Sequence, residues 1–353
     1  MRQAHPFYMY EAILKQPHTV QTVIERNEAL IGEVANKLRA AKRIFLVGIG
    51  TSYHAAETSR YIARALAKSA EVYAVHAFDF ANYPPVLSRE DCVIGISHRG
   101  TKTYTVEALR MAQESGCLTI GITGLGDETP LYRHSALTVG TVEQESSSAH
   151  TVSFIGSVAI LAAIFAQING GPEERIFLRE TLPLLLEECI RVGEAARDFA
   201  QYLSQGRRIW LAGGGPFGIL AKEIALKIKE TSYLQPEGMA VEEMIHGPFQ
   251  CVESQDFFIL IAPYGKSQQR ALDLASMIEM VGANYLWVDD GTAHVSTHYR
   301  IVVPKVAEHY AALACLIPLQ LLTYQIALNA GTNPDSFRDE DPRFHEISSK
   351  IIL

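Results

Sequence analysis

The chain has 353 residues, 48% of them hydrophobic and 20% charged, with 31 Lys and Arg against 39 Asp and Glu for a formal net charge of −8. That length suits two ordinary domains, each able to bury a core. The negative balance and the lack of a long basic run argue against nucleic acid and against an anionic membrane as partners.

The first 38 residues read as helical from Tyr8, with Pro17 as a break, because Val20, Val23, Ile24, Leu30, Ile31, Val34 and Leu38 recur at helical spacing. A first α/β unit follows. It comprises strand Ile44–Val47, helix His54–Ala67, strand Val72–Val75, strand Val93–Ser97, helix Tyr104–Ser115 and strand Leu118–Thr123. An apolar helix, Val152–Ile168, closes it. Gly170-Gly171-Pro172 breaks the pattern, and Glu173–Ser204 reads as a helical linker. A second unit then runs through Ile209–Leu211, Phe217–Tyr233, Phe257–Ala262, Gln268–Val281, Tyr285–Val288 and helix Ala311–Ala330, with a charged tail after Gly331. Short β-branched runs alternating with amphipathic helices predict parallel sheets covered on both faces. The expected organisation is a helical segment 1–35, domain 36–170, linker 171–204, domain 205–335 and tail 336–353.

The two units repeat each other. Arg43-Ile44-Phe45-Leu46-Val47-Gly48-Ile49-Gly50 returns as Arg208-Ile209-Trp210-Leu211-Ala212-Gly213-Gly214-Gly215, and Asp91–Ser97 returns as Asp256–Ala262, both at an offset of 165 residues. A constant register over two elements indicates a duplicated domain. Differences between the copies then mark where chemistry was added.

The five cysteines (Cys92, Cys117, Cys189, Cys251 and Cys315) form no CxxC pair, and three lie in apolar runs. They read as reduced thiols of a cytoplasmic protein. No segment reads as apolar over the ~20 residues that a bilayer requires, and the first residues lack a signal-peptide core.

Four places attract attention. Gly48-Ile49-Gly50-Thr51-Ser52 joins a strand to a helix, where free N–H groups and the helix dipole favour a phosphate or carboxylate; a tight turn with a helix cap has the same composition. The dinucleotide fingerprint does not fit, since Tyr53 replaces its third glycine and the second copy lacks the acid that would hold a ribose. Ser97-His98-Arg99-Gly100-Thr101-Lys102-Thr103 brings hydroxyls, a glycine and two cations to a second such turn, and suits a phosphate dianion better than its duplicate, Ala262–Ser267. Ser146-Ser147-Ser148 with Thr151 precede a helix, as phosphate donors or as a cap. In the second copy Lys227, Glu230 and Tyr233 share a helix face, and His246 is fixed before Gly247-Pro248. His294 and His298 lie in a loop, so no metal site is expected, and no cofactor is called for.

With these motifs the chain resembles the double sugar-isomerase (SIS) domain family, especially the isomerase part of glucosamine-6-phosphate synthase and the related fructosamine deglycases. Gly50-Thr51-Ser52-Tyr53, the loop at Ser97, Lys227-Ile228-Lys229-Glu230, His246-Gly247-Pro248 and Ile317–Gln325 carry the resemblance over nearly the whole chain. It implies two tandem three-layer αβα domains of flavodoxin-like topology. It also implies a homodimer with the active site at the subunit boundary. The implied substrate is a ketose or aminosugar 6-phosphate, isomerised or deaminated through an enediol or enolamine without a glutaminase domain. A fructosamine-6-phosphate deglycase and a non-catalytic sugar-phosphate sensor are the alternatives.

The candidate substrate-binding residues are Gly50, Thr51, Ser52, Ser97, His98, Arg99, Gly100, Lys102, Thr103, Ser147, Ser148 and Lys227, of which the resemblance itself assigns Thr51, Ser52, Ser97 and the backbone of Arg99 and Gly100. Glu230 would move a proton between C1 and C2, and His246 would open the ring, roles that suit a carboxylate and an imidazole. Lys350 corresponds to an imine-forming lysine, although it falls three residues late counted from Pro342-Arg343. The family loop usually reads Ser-Gln-Ser-Gly-Glu-Thr, so Lys102 replaces a phosphate-binding hydroxyl and Arg99 adds a second cation.

Overall fold

The computed structural model describes residues 2–66, 70–126, 128–203 and 208–350. In chain order the elements are α1 (Tyr8–Leu14), α2 (Gln16–Arg26), α3 (Glu28–Leu38), β1 (Arg43–Gly48), α4 (Thr51–Leu66), β2 (Glu71–His76), α5 (Ala77–Asn82), β3 (Asp91–Ile96), α6 (Thr103–Glu114), β4 (Leu118–Thr123), α7 (Pro130–Arg133), β5 (Leu137–Gly140) and α8 (Val152–Asn169). They continue with α9 (Pro172–Ile176), a π-helical turn (Phe177–Thr181), α10 (Leu182–Ala196), a 3-10 turn (Arg197–Phe199), α11 (Ala200–Leu203), β6 (Ile209–Gly213), α12 (Pro216–Ser232), β7 (Glu237–Ala240), α13 (Val241–Ile245) and a 3-10 turn (Pro248–Cys251). The last elements are β8 (Phe257–Ile261), α14 (Gln268–Val281), β9 (Asn284–Asp289), β10 (Arg300–Val302), α15 (Glu308–Asn329) and α16 (Pro342–Lys350). The expected ends at Ala67, Ser204 and Leu353 lie outside the described residues.

Contacts divide the chain into two compact units. One holds Lys15–Ser146, His150–Leu184 and Asp341–Leu353; the other holds Met1–Leu14, Ser147–Ala149 and Leu185–Glu340. Each contains a five-stranded sheet, ordered β2-β1-β3-β4-β5 in the first and β7-β6-β8-β9-β10 in the second, with every pair parallel. The two orders are the same topology, so the duplication read from the sequence extends to all five strands.

Alternate residues of a strand face opposite sides of its sheet. In the first unit Phe45, Val47 and Val93 pack with Phe80, Ala108, Leu109 and Ala112 of α5 and α6, while α8 packs on α4, α2 and α3. In the second unit Trp210, Phe258, Leu260 and Trp287 pack with Met244, Leu274 and Ile278 of α13 and α14, while α15 packs on α12. Three layers result in each copy, as expected. Asp335 closes the second unit by accepting hydrogen bonds from the Tyr8 and Met9 N–H groups, both at 2.8 Å, at the start of α1.

Some expectations need correction. Two helices, Val152–Asn169 and Glu308–Asn329, are long and apolar enough to cross a bilayer, contrary to the reading that no segment was; 89% of each apolar stretch is buried, as suits a helix enclosed on all sides. The linker is not one helix but is interrupted by the π and 3-10 turns. The stretch between the helix ending near Tyr233 and the strand at Phe257, for which no element was expected, forms β7 and α13, and the tail forms α16.

One polar device is repeated at the 165-residue offset. Arg43 donates to the buried Asp91 carboxylate at 2.8 and 2.6 Å and to the Val86 carbonyl. Arg208 pairs with the buried Asp256 at 3.0 Å and donates to the Cys251 carbonyl. Each arginine also lies over the aromatic ring two residues on, Phe45 or Trp210. Asp91 additionally accepts from the Ser88 N–H at 2.7 Å, and Asp256 from the Glu253 N–H at 3.0 Å. Each clamp ties the starts of the first and third strands to the loop before the third.

Asp91→Asn and Asp256→Asn are each expected to cost about 2 kcal/mol, the scale of lost hydrogen bonds to a charged group, measured from urea midpoints. The Arg43 guanidinium lowers the Asp91 pKa. Its contribution is therefore complete above the ordinary aspartate value of 3.8 and is lost as pH falls through the lowered folded value. Losses below about 0.5 kcal/mol, the scatter of ordinary surface substitutions, would show that the clamp is incidental.

Candidate functional site

The carboxyl ends of β1 and β3 carry the two turns singled out by sequence. Gly48 lies against the Ser52 and Tyr53 backbone, leaving no room for a side chain, and Gly50 has φ +56°. The chain thus turns sharply into α4 and leaves Thr51 and Ser52 half-buried at its amino end. Gly100 has φ +65°, and a methyl group there would fall on Thr129 Oγ1. Its N–H closes the turn on the Ser97 carbonyl at 2.9 Å.

Within this turn Ser97 is 1% exposed, and its hydroxyl has no hydrogen-bond partner among the described residues. A buried orphan hydroxyl is costly unless something completes it. The amino end of α6 has no side-chain cap, with Lys102 at the N-cap position and Thr103 opening the helix. Arg99 is exposed and Lys102 half-buried. Burial, and then the Arg99 charge, lowers the Lys102 pKa.

His98 has a supporting part. Its Nε2 accepts the Glu145 N–H at 3.1 Å, and its carbonyl accepts the Gly124 N–H at 2.8 Å. The ring meets His150 edge-on at 4.9 Å. Burial, aided by Arg99, pushes its pKa down to about 4, so the ring is neutral at physiological pH.

Ser147 and Ser148 belong to the second compact unit. The Ser147 hydroxyl is buried and reaches the Ala149 and Pro334 carbonyls at 3.5 Å, and the Ser148 N–H donates to the Asp335 carbonyl at 3.0 Å. The cap on α8 is Glu145, which the sequence did not single out. Its carboxylate takes the N–H groups of Thr151, Val152 and Ser153 at 3.0 to 3.3 Å.

The duplicate loop in the second unit is filled by its own side chains. Glu308 Oε1 accepts the Lys266 N–H at 2.8 Å, and Asp290 Oδ1 accepts the Tyr264 N–H at 3.1 Å. Gly265 lies against the Glu308 carboxylate, and Gly214 against Ser267. Carboxylates of the chain thus occupy the donors that would meet an anion.

On α12 the structure brings Lys227 and Glu230 together, as spaced, and adds a carboxylate that sequence reading missed. Lys227 is 1% exposed, with Nζ 2.6 Å from Glu230 Oε2 and 3.7 Å from Glu223 Oε1. Glu223 is fully buried and Glu230 mostly so. The signal for Glu223 was its place four residues before Lys227, a helical neighbour in an otherwise apolar stretch. Tyr233 ends the helix at φ +61° and bonds Glu340 at 3.4 Å.

His246 follows α13, just before Gly247 with φ +145°. Its side chain is 72% exposed, with Nε2 3.0 Å from Glu242, and Glu242 is also held by Arg270 at 2.6 Å. Lys350, on α16, is exposed and paired with Glu346.

Two outcomes are expected. The unfolded chain takes up a proton at His98 near pH 6.5 that the folded chain refuses until about pH 4. Stability should therefore fall by ~3 kcal/mol as pH drops across that window, a share absent from His98→Gln, read from urea midpoints at pH 7 and 4. Lys227→Met leaves Glu223 and Glu230 without their shared cation and should cost roughly 3 kcal/mol or more. A wild-type melting temperature in that variant would deny the cluster a structural part.

Comparison with known proteins agrees with this architecture. The SIS domain profile matches residues 37–167 and 202–330. The chain is 29% identical over 342 residues to glutamine--fructose-6-phosphate aminotransferase [isomerizing] of Pyrococcus horikoshii, covering 94% of this chain and 56% of that protein. It is 27% identical to the Thermococcus kodakarensis protein of the same name, over 96% of this chain and 58% of that one. The chain thus spans little more than half the length of these curated relatives. Among solved structures, the C-terminal domain of glucosamine-fructose-6-phosphate aminotransferase from Francisella tularensis superposes with a TM-score of 0.85 at 23% identity, covering 95% of this chain and 99% of that one. Tagatose-6-phosphate ketose/aldose isomerase from Escherichia coli gives 0.79 at 20% identity, with 96% of both chains covered. With both copies matched and both sheets of one topology, the chain belongs to the SIS domain family, as two SIS domains in tandem.

Proposed function

We propose that the chain is an enzyme acting on a ketose or aminosugar 6-phosphate. The first copy grips the phosphate through Thr51, Ser52, Ser97, Lys102, Thr103 and the backbone of Arg99 and Gly100. In the second copy Glu230, fixed by Lys227, takes a proton from the carbon next to the carbonyl and returns it to the former carbonyl carbon, so that the proton moves between C1 and C2 through an enediol or enolamine. His246 opens the sugar ring. The observation that carries this reading is the contrast between the copies: the Ser97 hydroxyl is buried and unpartnered, while the duplicate loop is filled by Glu308 and Asp290.

The names of the relatives point the same way, since each contains a hexose 6-phosphate: fructose, tagatose or, in a Thermotoga maritima deaminase of TM-score 0.75 and 22% identity, glucosamine. The high exposure of His246 in a single chain suits a homodimer whose second subunit covers it. Ser147 and Ser148 support the second unit in this reading, and Lys350 is a candidate only for the imine step. A cytoplasmic setting fits the five free cysteines, four of them buried.

The test is solvent deuterium entering C1 or C2 of fructose 6-phosphate, glucosamine 6-phosphate or a 6-phosphofructosyl amino acid, followed by NMR. Glu230→Gln should slow exchange at least ~100-fold, the usual scale for a lost general base. Ser97→Ala should chiefly raise KM. Undiminished exchange in Glu230→Gln would remove the carboxylate from the mechanism. Release of free amino acid would select the deglycase, and binding without exchange across a wider set of sugar phosphates would select the sensor.

A further inference from the structure

We infer that the substrate carries a second anionic group besides its phosphate, and that Arg99 receives that group. This rests on the proposed phosphate grip in the first copy and deepens it.

The charge balance of the loop supports the inference. Residues 97–103 contain two cations and no acid. Among the described residues neither side chain has a hydrogen-bond or ion-pair partner, whereas Arg43, Arg110, Arg197, Arg208, Arg270 and Arg300 each hold a carboxylate. The two charges also act on each other: Arg99 is the second cause of the lowered Lys102 pKa, after burial. Like charges held together without an acid raise the free energy of the empty loop, and an arriving anion relieves it.

One phosphate does not use everything present. The Ser97 hydroxyl and the uncapped end of α6 already offer neutral donors suited to its oxygens. Lys102, half-buried at the N-cap position, belongs with that cradle. Arg99 stands exposed at the turn, and a planar guanidinium is best matched by the two oxygens of a carboxylate or a second phosphate. The duplicate loop shows how the same fold treats unused donors: there Glu308 and Asp290 fill them from within. No comparable acid meets Arg99 among the described residues.

The test is calorimetric binding at 0.15 M and 0.5 M salt, the two concentrations chosen to bracket the screening of exposed charges over roughly a Debye length. The probes are fructose 6-phosphate, 6-phosphogluconate, 6-phosphofructosyl-glycine and fructose 1,6-bisphosphate. They place the extra anion nowhere, on the carbon chain, on nitrogen, or as a second phosphate. At least one two-anion probe should bind ~10-fold or more tighter than fructose 6-phosphate, which is about 1.4 kcal/mol. Arg99→Gln should remove most of that advantage, Lys102→Thr should weaken all four probes alike, and high salt should shrink the advantage. Fructose 6-phosphate should lose far less affinity to Arg99→Gln than the favoured probe does. Equal binding of all four probes, or an equal loss on all four in Arg99→Gln, overturns the inference and leaves the phosphate grip standing. Failure of every probe to bind the wild-type protein overturns the grip itself, and the inference with it.

Discussion

A parallel sheet covered on both faces dictates where this chain can do chemistry. Its central strands are buried and paired on both sides, so their backbone polar groups are committed to neighbours. Between them, only the loops at the strand ends have N–H groups to spare. With the order 2-1-3-4-5, helices leave the first and third strands toward opposite faces, and a crevice opens between their carboxyl ends. In the first copy that crevice is flanked by Gly48–Ser52 and by Ser97–Thr103. The orphan Ser97 hydroxyl and the unpaired cations lie where those two turns run side by side, a placement set by the β1–β3 register of Arg43 on Asp91 through Val47 on Gly95, and the proposed phosphate grip rests on it.

The sequence displayed this much because the elements that build the crevice are locally determined. Central strands are continuous apolar runs, and tight turns into helices demand glycine, so β1, β3, β6 and β8 and their turns could be read directly. Of the edge strands β2 was read, but β5, β7 and β10 escaped because their stability comes from neighbours. In β7, Gly238 has no room for a side chain against Ala221 and Lys222, which is packing that no local propensity encodes. In β10, three residues, Arg300–Val302, pair with β9, and Arg300 is held by Asp289 eleven residues earlier. The apolar helices α8 and α15 were placed correctly, but their length and composition alone do not separate a core helix from a membrane span. The carboxylates of Glu145 and Glu308 were illegible for a similar reason. Each acts by filling donors on a different element, which spacing along the chain does not reveal.

The ionic cluster on α12 follows a different logic. Burying an ammonium among Ile224, Ala225 and Ile228 is unfavourable unless anions accompany it, and here two glutamates do, one turn to either side. Sequence spacing alone gave the Glu230 half, because residues at i and i+3 share one face of a helix. The fully buried Glu223 supplies the rest: it sets a second carboxylate, wholly out of solvent, 3.7 Å from the ammonium. Fixing the lysine from behind is what lets Glu230 keep one edge toward solvent while staying in a defined position.

The two copies retain their likeness unevenly. At the amino ends of the strands they share one clamp, down to the carbonyl that each arginine reaches and the ring it covers. At the carboxyl ends they differ in nearly every polar group. This is the division expected when one end of a sheet bears only on stability and the other only on ligands. Asp91 and Asp256 meet the same need, holding the first strand to the third, so either copy would lose by changing it. Ser97 and Ala262 occupy equivalent turns but face different demands. In the proposed reading the first turn keeps donors open for an anion, whereas the second meets its own through Glu308 and Asp290. The closed copy thereby sets off the open one: the donors beside Glu308 and Asp290 are paired internally, whereas the Ser97 hydroxyl and the Arg99 side chain have no partner among the described residues.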